Sequence, residues 1–168
     1  DYFVISNDEQ KDREMQNMEE ILEVVKKENV CCVAFQDEPC PYLIPLNYGA
    51  RMEDGKLVLY FHGAAEGTKL DRIRKNPNVS YTVYGGYELR FFEDPPCKSS
   101  AGFVSVCGSG RAEFVEPEKA GEALAVLMNH IGGPGKKTFQ PEDFPAEACR
   151  NIQVWRIVTE TVTGKHHE

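Results

Sequence analysis

The run Lys56-Leu-Val-Leu-Tyr-Phe-His62 constrains the fold more than any other stretch of the chain. Its five central residues are apolar without alternation, so a strand built from them must be covered on both faces. The run is too short for an ordinary helix, and Asp54-Gly55 just ahead of it is a strong hairpin signal. Val30-Cys-Cys-Val-Ala-Phe35 reads as another buried strand, stopped by Asp37-Glu38-Pro39, and Tyr42 to Tyr48 forms a strand between the two. Three strands joined by short turns predict a meander.

Met15, Met18, Leu22 and Val25, with Ile21 alongside, recur at helical spacing and predict an amphipathic helix over 13–28. A short helix follows the third strand from Thr68 to Asn76 and ends at Pro77, and Asn78 to Tyr84 is a fourth strand. Gly85-Gly86 opens a looser segment reaching Ser100, in which Asp94-Pro-Pro96 bars a central strand. Phe103 to Glu116 is long and β-like, with Gly108 and Gly110 as bends at a barrel corner. Pro117 suits the first turn of a helix over 117–130, with Ala120, Leu124, Leu127 and Met128 inward. A Gly- and Pro-rich loop spans 132–145, and Ile152 to Val162 is the last strand. Six mostly antiparallel strands with peripheral helices predict a mainly β, closed or partly closed barrel in one domain over 1–168.

Composition excludes several classes of partner. Nineteen Lys and Arg against 27 Asp and Glu give a net charge of -8 without basic clusters, which argues against nucleic acid and anionic lipid. No run approaches the roughly 20 apolar residues of a membrane span, and Asp1 to Gln10 lacks the pattern of a signal peptide. The six cysteines contain no Cys-x-x-Cys pair and give a structural zinc no nucleus. They are expected to be reduced thiols in a cytoplasmic protein.

Two strand ends carry the chemistry. After Tyr60-Phe-His62 a small-residue loop leads into a helix near Thr68, where Thr68 and Asp71 form a weak capping box. Lys69 then sits in the first turn, the wrong end for a cation. It either points into solvent at a small cost or holds an anion, with phosphate the obvious one, together with helix N–H groups and the Thr68 hydroxyl. His62 reads as a surface or hydrogen-bonded residue more readily than as a catalyst, and His166 and His167 read as tail. In Ile44-Pro-Leu-Asn-Tyr-Gly49, Pro45 requires an open strand edge or a bulge, and Asn47 adds an amide that donates and accepts. That end is either an ordinary edge or a place where main-chain groups meet a planar ligand.

Taken in order, Tyr42-Leu-Ile-Pro-Leu-Asn-Tyr-Gly49, Leu59-Tyr-Phe-His-Gly63, Glu66-Gly-Thr-Lys-Leu70 and Arg74-Lys-Asn-Pro77 resemble the pyridoxamine 5'-phosphate oxidase-like flavoproteins, in particular the nitroimidazole-resistance branch. Ser105-Val-Cys-Gly-Ser-Gly-Arg-Ala112 and Thr161-Val-Thr-Gly-Lys165 resemble that family's second block and closing strand. The resemblance implies an FMN-binding split β-barrel, Greek-key-like, assembled as a homodimer with flavin at the interface. Carried over by position, Pro45, Leu46, Asn47 and Tyr48 would line the isoalloxazine. Tyr60, Phe61 and His62 would flank the ring and ribityl chain, Thr68 and Lys69 would hold the phosphate, and Ser105 would approach from the second block. The sequence departs from the family at Phe103-Val104, where an aromatic–Arg pair is common, so an extra anion contact is not expected there.

The resemblance implies an oxidoreductase that reduces a small nitro-aromatic or quinone-like acceptor, with no catalytic side chain required because the flavin carries the electrons. The alternative is a flavin- or heme-binding module, a redox sensor or carrier without turnover. FAD, a deazaflavin and heme stand beside FMN as alternative cofactors.

Overall fold

In a computed structural model, residues 13–167 are described. Seven strands form one curled antiparallel sheet, in the order β2-β1-β5-β6-β7-β4-β3. They are β1 (Val30–Phe35), β2 (Tyr42–Asn47), β3 (Gly49–Glu53), β4 (Lys56–Ala64), β5 (Asn78–Arg90), β6 (Ser100–Phe114) and β7 (Ile152–His167). Three α-helices among the described residues lie outside the sheet: α1 (Met18–Lys27), α2 (Thr68–Lys75) and α3 (Ala120–Gly132). The mainly β architecture with peripheral helices is as expected, but the sheet has seven strands, not six.

The additional strand is β3, whose Gly-Ala-Arg-Met-Glu sequence carries no apolar alternation. It is held by its pairing with β4 and by α3 rather than by its own pattern. The expected meander is likewise corrected. β2 pairs with β1, β3 pairs with β4, and the two lie at opposite ends of the strand order. At Tyr48 the chain therefore crosses from one edge to the other. Tyr48 is fully buried there, and its hydroxyl donates to the Val25 carbonyl at 2.5 Å.

The sheet curls around one core. Phe35 of β1 meets Trp155 of β7 at 5.9 Å between ring centroids, and Trp155 stacks on Phe61 of β4 at 4.2 Å. Ile21, Val24 and Val25 of α1 close this core from one side. Burial of the Cys31 thiol inside it, with Cys32 adjoining, pushes its pKa up to about 12. A smaller cluster lies outside the curl, where α3 covers Val58, Tyr60 and Val154 with Ala123, Leu124 and Leu127. Gly49 is required in this contact, because a Cβ there would sit 2.4 Å from the Leu127 Cα.

Other boundaries shift for local reasons. β5 does not stop at Tyr84. A bulge between Gly85 and Glu88 absorbs a change of register, and the strand continues against Ser100–Gly102 as an arm. The 117–130 helix begins as a 3₁₀ turn, Pro117–Lys119, before α3. The first helix starts only at Met18, capped by the Asn17 side chain on the Glu20 amide, because Glu14 is bridged to Lys165. His166 and His167 are not tail: they extend β7 opposite Val104 and Phe103.

Candidate functional site

Strand parity sorts the predicted residues. Along β2, Tyr42, Ile44 and Leu46 pack on the core, which turns Leu43, Pro45 and Asn47 to the outer face. As anticipated from Pro45, β2 is an edge strand. Across the sheet Pro45 aligns with Cys32, Cys32 with Thr82, Thr82 with Cys107 and Cys107 with Thr163. A parallel row runs Leu43, Ala34, Ser80, Ser109 and Thr161. From Cys32 to Thr163 and from Leu43 to Thr161 these mostly small side chains make the floor of a trough of about 460 Å³ on a face that α3 leaves bare. Ser105, one outward position before Cys107, shares that face between Tyr84 and Lys165. The structure thus brings Pro45, Asn47 and Ser105 onto one surface.

Hydroxyls and thiols are set into a mostly apolar trough surface. Ser109 and Thr161 hydroxyls lie 2.6 Å apart, and the Thr82 hydroxyl is 3.5 Å from the Cys107 sulfur. Side chains this short leave room for a flat molecule against the backbone, with hydroxyls to bond its polar rim. Among the described residues the trough is open on its outer side, so it encloses a ligand only with a second wall.

The other predicted residues lie elsewhere. The Leu46 side chain faces the core, Tyr48 is buried at the crossing, and Phe61 is committed to Trp155. Tyr60 sits beneath α3, where its hydroxyl donates to Glu53. Glu53 also receives Arg51 Nε at 2.6 Å and Arg156 Nη1 at 3.1 Å, and Arg156 reaches Glu113. Burial of Glu53 opposes its charge, yet the Tyr60 hydroxyl and the Arg51 guanidinium hold its carboxyl below the usual range. Burial and the bond to Glu53 push the Tyr60 hydroxyl up. This network lines a polar cavity of about 370 Å³ away from the trough.

His62 is exposed on β4. Thr68 is exposed and Lys69 is half-buried at the start of α2. The expected capping box does not form: the cap residue is Gly67, at φ 140°, and no side chain caps the helix. The Leu70 and Asp71 amides donate to the Gly67 carbonyl, so the Thr68 and Lys69 N–H groups are the ones left to face an anion, beside the Lys69 side chain. α2 is fixed to the β1–β2 hairpin by Arg72, which pairs with Asp37 at 2.5 Å and lies over the Tyr42 ring at 5.3 Å. α2 therefore lies on the Tyr42 flank of β2, and Tyr42 is roughly 17 Å along the strand from Asn47 at about 3.4 Å per residue.

Sequence reasoning missed the trough floor. A signal was present: Ser80-Tyr-Thr82, Cys107-Gly-Ser109 and Thr161-Val-Thr163 each place two small polar residues on one face of a strand.

The family model described as pyridoxamine 5'-phosphate oxidase matches residues 17–166. Among solved structures, a candidate 5-nitroimidazole antibiotic resistance protein from Bacteroides thetaiotaomicron is 28% identical. The match covers 91% of this chain and 86% of that one, with a TM-score of 0.74. An FAD and heme binding protein from Mycobacterium smegmatis is 15% identical over 93% of this chain and 74% of its own, with a TM-score of 0.73. The flavocytochrome Anf3 from Azotobacter vinelandii is 16% identical over 96% and 72%, also with a TM-score of 0.73. These likenesses agree with the split-barrel fold expected from the sequence. No curated protein matches the chain. No helix among the described residues is long and apolar enough to cross a membrane.

Proposed function

Because the chain belongs to the pyridoxamine 5'-phosphate oxidase family, we propose that it is a flavoprotein, and more narrowly an FMN-dependent oxidoreductase acting as a pair of identical subunits. The observation that carries this reading is the trough beside Pro45, Asn47 and Ser105, which has a floor suited to a planar ring and no outer wall among the described residues. A second copy supplies that wall. Thr68, Lys69 and the uncapped start of α2 are suited to the phosphate. Pro45, Asn47 and Ser105 meet the ring with side chains. Leu46, Tyr48, Tyr60 and Phe61, whose side chains are inward or buried, contribute backbone and shape, and His62, exposed on β4 away from the trough floor, is proposed to flank the ribityl chain.

Bound flavin supplies the electron transfer, and the chain supplies position, exclusion of water and the polar contacts around the ring. A nitro-aromatic or quinone-like acceptor is the proposed substrate class, supported by the likeness to the Bacteroides protein. Six free cysteines among the described residues support a reducing, cytoplasmic setting.

The test is the absorbance spectrum of the purified protein with the mass of whatever it releases on denaturation. FMN is expected, whereas FAD, a deazaflavin or heme would reassign the cofactor. Anaerobic reduction by NADH or NADPH and reoxidation by a nitro compound would then establish turnover. Reduction without reoxidation by such acceptors favours the flavin- or heme-carrying module. A colourless protein that takes up no added flavin refutes the reading.

A further inference from the structure

We infer that His130 is a positioning residue: held as its neutral Nε2–H tautomer, it fixes the strand end that carries Asn47 and Tyr48. The functional part of this inference rests on the flavin reading above.

His130 lies in the last turn of α3. The Ala50 amide donates to its Nδ1 at 3.1 Å, and an amide N–H can only donate, so Nδ1 must present a lone pair. The proton is then on Nε2, which lies 2.8 Å from the Glu28 carbonyl and donates to it. One imidazole thus joins three elements: α3, the second residue of β3, and the residue that caps α1.

The turn it grips is the anchor of the candidate flavin strand. The Asn29 carbonyl, next to Glu28, accepts from both the Tyr48 amide and the Asn47 side-chain amide, each at 3.2 Å. The Tyr48 ring packs on His130 with centroids 4.9 Å apart. This is also where the chain leaves one sheet edge for the other, with no strand pairing between β2 and β3 to fix their relation. His130 provides that link, since it bonds the first turn of backbone after the crossing to the anchor of the strand before it. A histidine that merely satisfied its own burial would need only partners within reach; these two partners come from the two sides of the crossing.

The test compares wild-type protein with His130→Phe, which keeps a ring but neither bond, and His130→Gln, whose amide can accept and donate. Amide hydrogen exchange is read without flavin, and FMN affinity is read by titration. In His130→Phe, exchange at Ala50 and Tyr48 is expected to speed up roughly tenfold while β6 and β7 stay protected, and FMN should bind roughly tenfold more weakly. His130→Gln should recover much of both. Nitrogen NMR of the wild-type ring should show the proton on Nε2, and a proton on Nδ1 overturns the assignment. Unchanged Ala50 exchange in His130→Phe overturns the link, and faster exchange with unchanged FMN affinity overturns the positioning role. If His130→Phe does not fold, His130→Ala, which also removes both bonds, is judged by the same criteria, and the wild-type tautomer still decides the assignment. Wild-type protein that takes up no FMN refutes the proposed function instead, and the exchange measurement still decides whether His130 holds the crossing.

Discussion

Replacing Gly49 with alanine is expected to destabilise the protein severely through a single methyl group. The added Cβ would stand 2.4 Å from the Leu127 Cα, 2.9 Å from the Leu127 amide nitrogen and 3.0 Å from the Val126 carbonyl oxygen. Ordinary contact begins at 3.4 Å, so something must retreat by about 1 Å. All three atoms are helix backbone, and no rotamer change relieves them. Retreat of α3 would pull Leu127 and Ala123, both almost fully buried, from the outer core and stretch the Ala50–His130 bond. Overpacking usually costs about 1–3 kcal/mol where side chains can adjust, so a backbone clash should cost about 3 kcal/mol or more. For a chain of this size that corresponds to a fall in Tm of roughly 6–12 °C. Gly63→Ala is the control, because nothing lies within 4 Å of its added carbon, and its effect should stay within about 0.5 kcal/mol. Urea unfolding of both variants, with m-values compared to wild type, measures the difference. A Gly49→Ala protein within about 1 kcal/mol of wild type would refute the packing argument and with it the rigidity of the crossing.

Thr82→Arg places a long charged side chain mid-trough and should convert a dimer to a folded monomer on sizing, at a cost of several kcal/mol if the charge were buried unpaired. An unaltered elution volume with native circular dichroism would put the interface elsewhere. Lys69→Ala should weaken FMN binding by roughly 1.5–3 kcal/mol, the scale of a hydrogen bond to a charged group, and unchanged affinity would move the phosphate site. The Glu53 carboxyl titrates lower in the folded protein than in the unfolded chain, so its stabilising effect is complete above the ordinary glutamate value of about 4.3. That stability is lost as pH falls through the depressed folded value. Urea midpoints should therefore drop more steeply with acidification in wild type than in Glu53→Gln, and parallel curves would show that the Arg51–Glu53–Arg156 network does not set acid stability.

The fold was legible wherever a segment carried its own reason to be ordered. Val30–Phe35 and Lys56–His62 are apolar enough to demand burial wherever they lie, and Asp54-Gly55 marks the hairpin between β3 and β4. The helix expected over Thr68 to Asn76 was readable from Pro77 that ends it, and it stops one residue earlier, at Lys75. β3 was not readable, because its five residues gain their stability from β4 and α3 and show no period of their own. The arm beyond Gly85 reads as loose because Gly85-Gly86 opens it and Asp94-Pro-Pro96 interrupts it, whereas the bulge lets pairing resume at Glu88. Lys69 and Pro45 were legible as site candidates because each breaks a local rule, a cation at a helix start and a proline in a strand. His130 broke no rule. Its role appears only when residues 28, 50 and 130 meet.

The sequence by itself determined which residues seek the interior, where the chain turns, and that a flavoprotein family's motifs follow one another in order. Those properties reside in single residues and short periods. Tertiary structure alone decided which outer surface the described residues leave bare. α3 covers the face beyond β4, while the rows from Pro45 to Thr163 and from Leu43 to Thr161 are left open. Alternation along a strand states only that two faces differ. Which helix lies on which face depends on contacts between residues as distant as Gly49 and Leu127, and no local pattern encodes a contact of that kind.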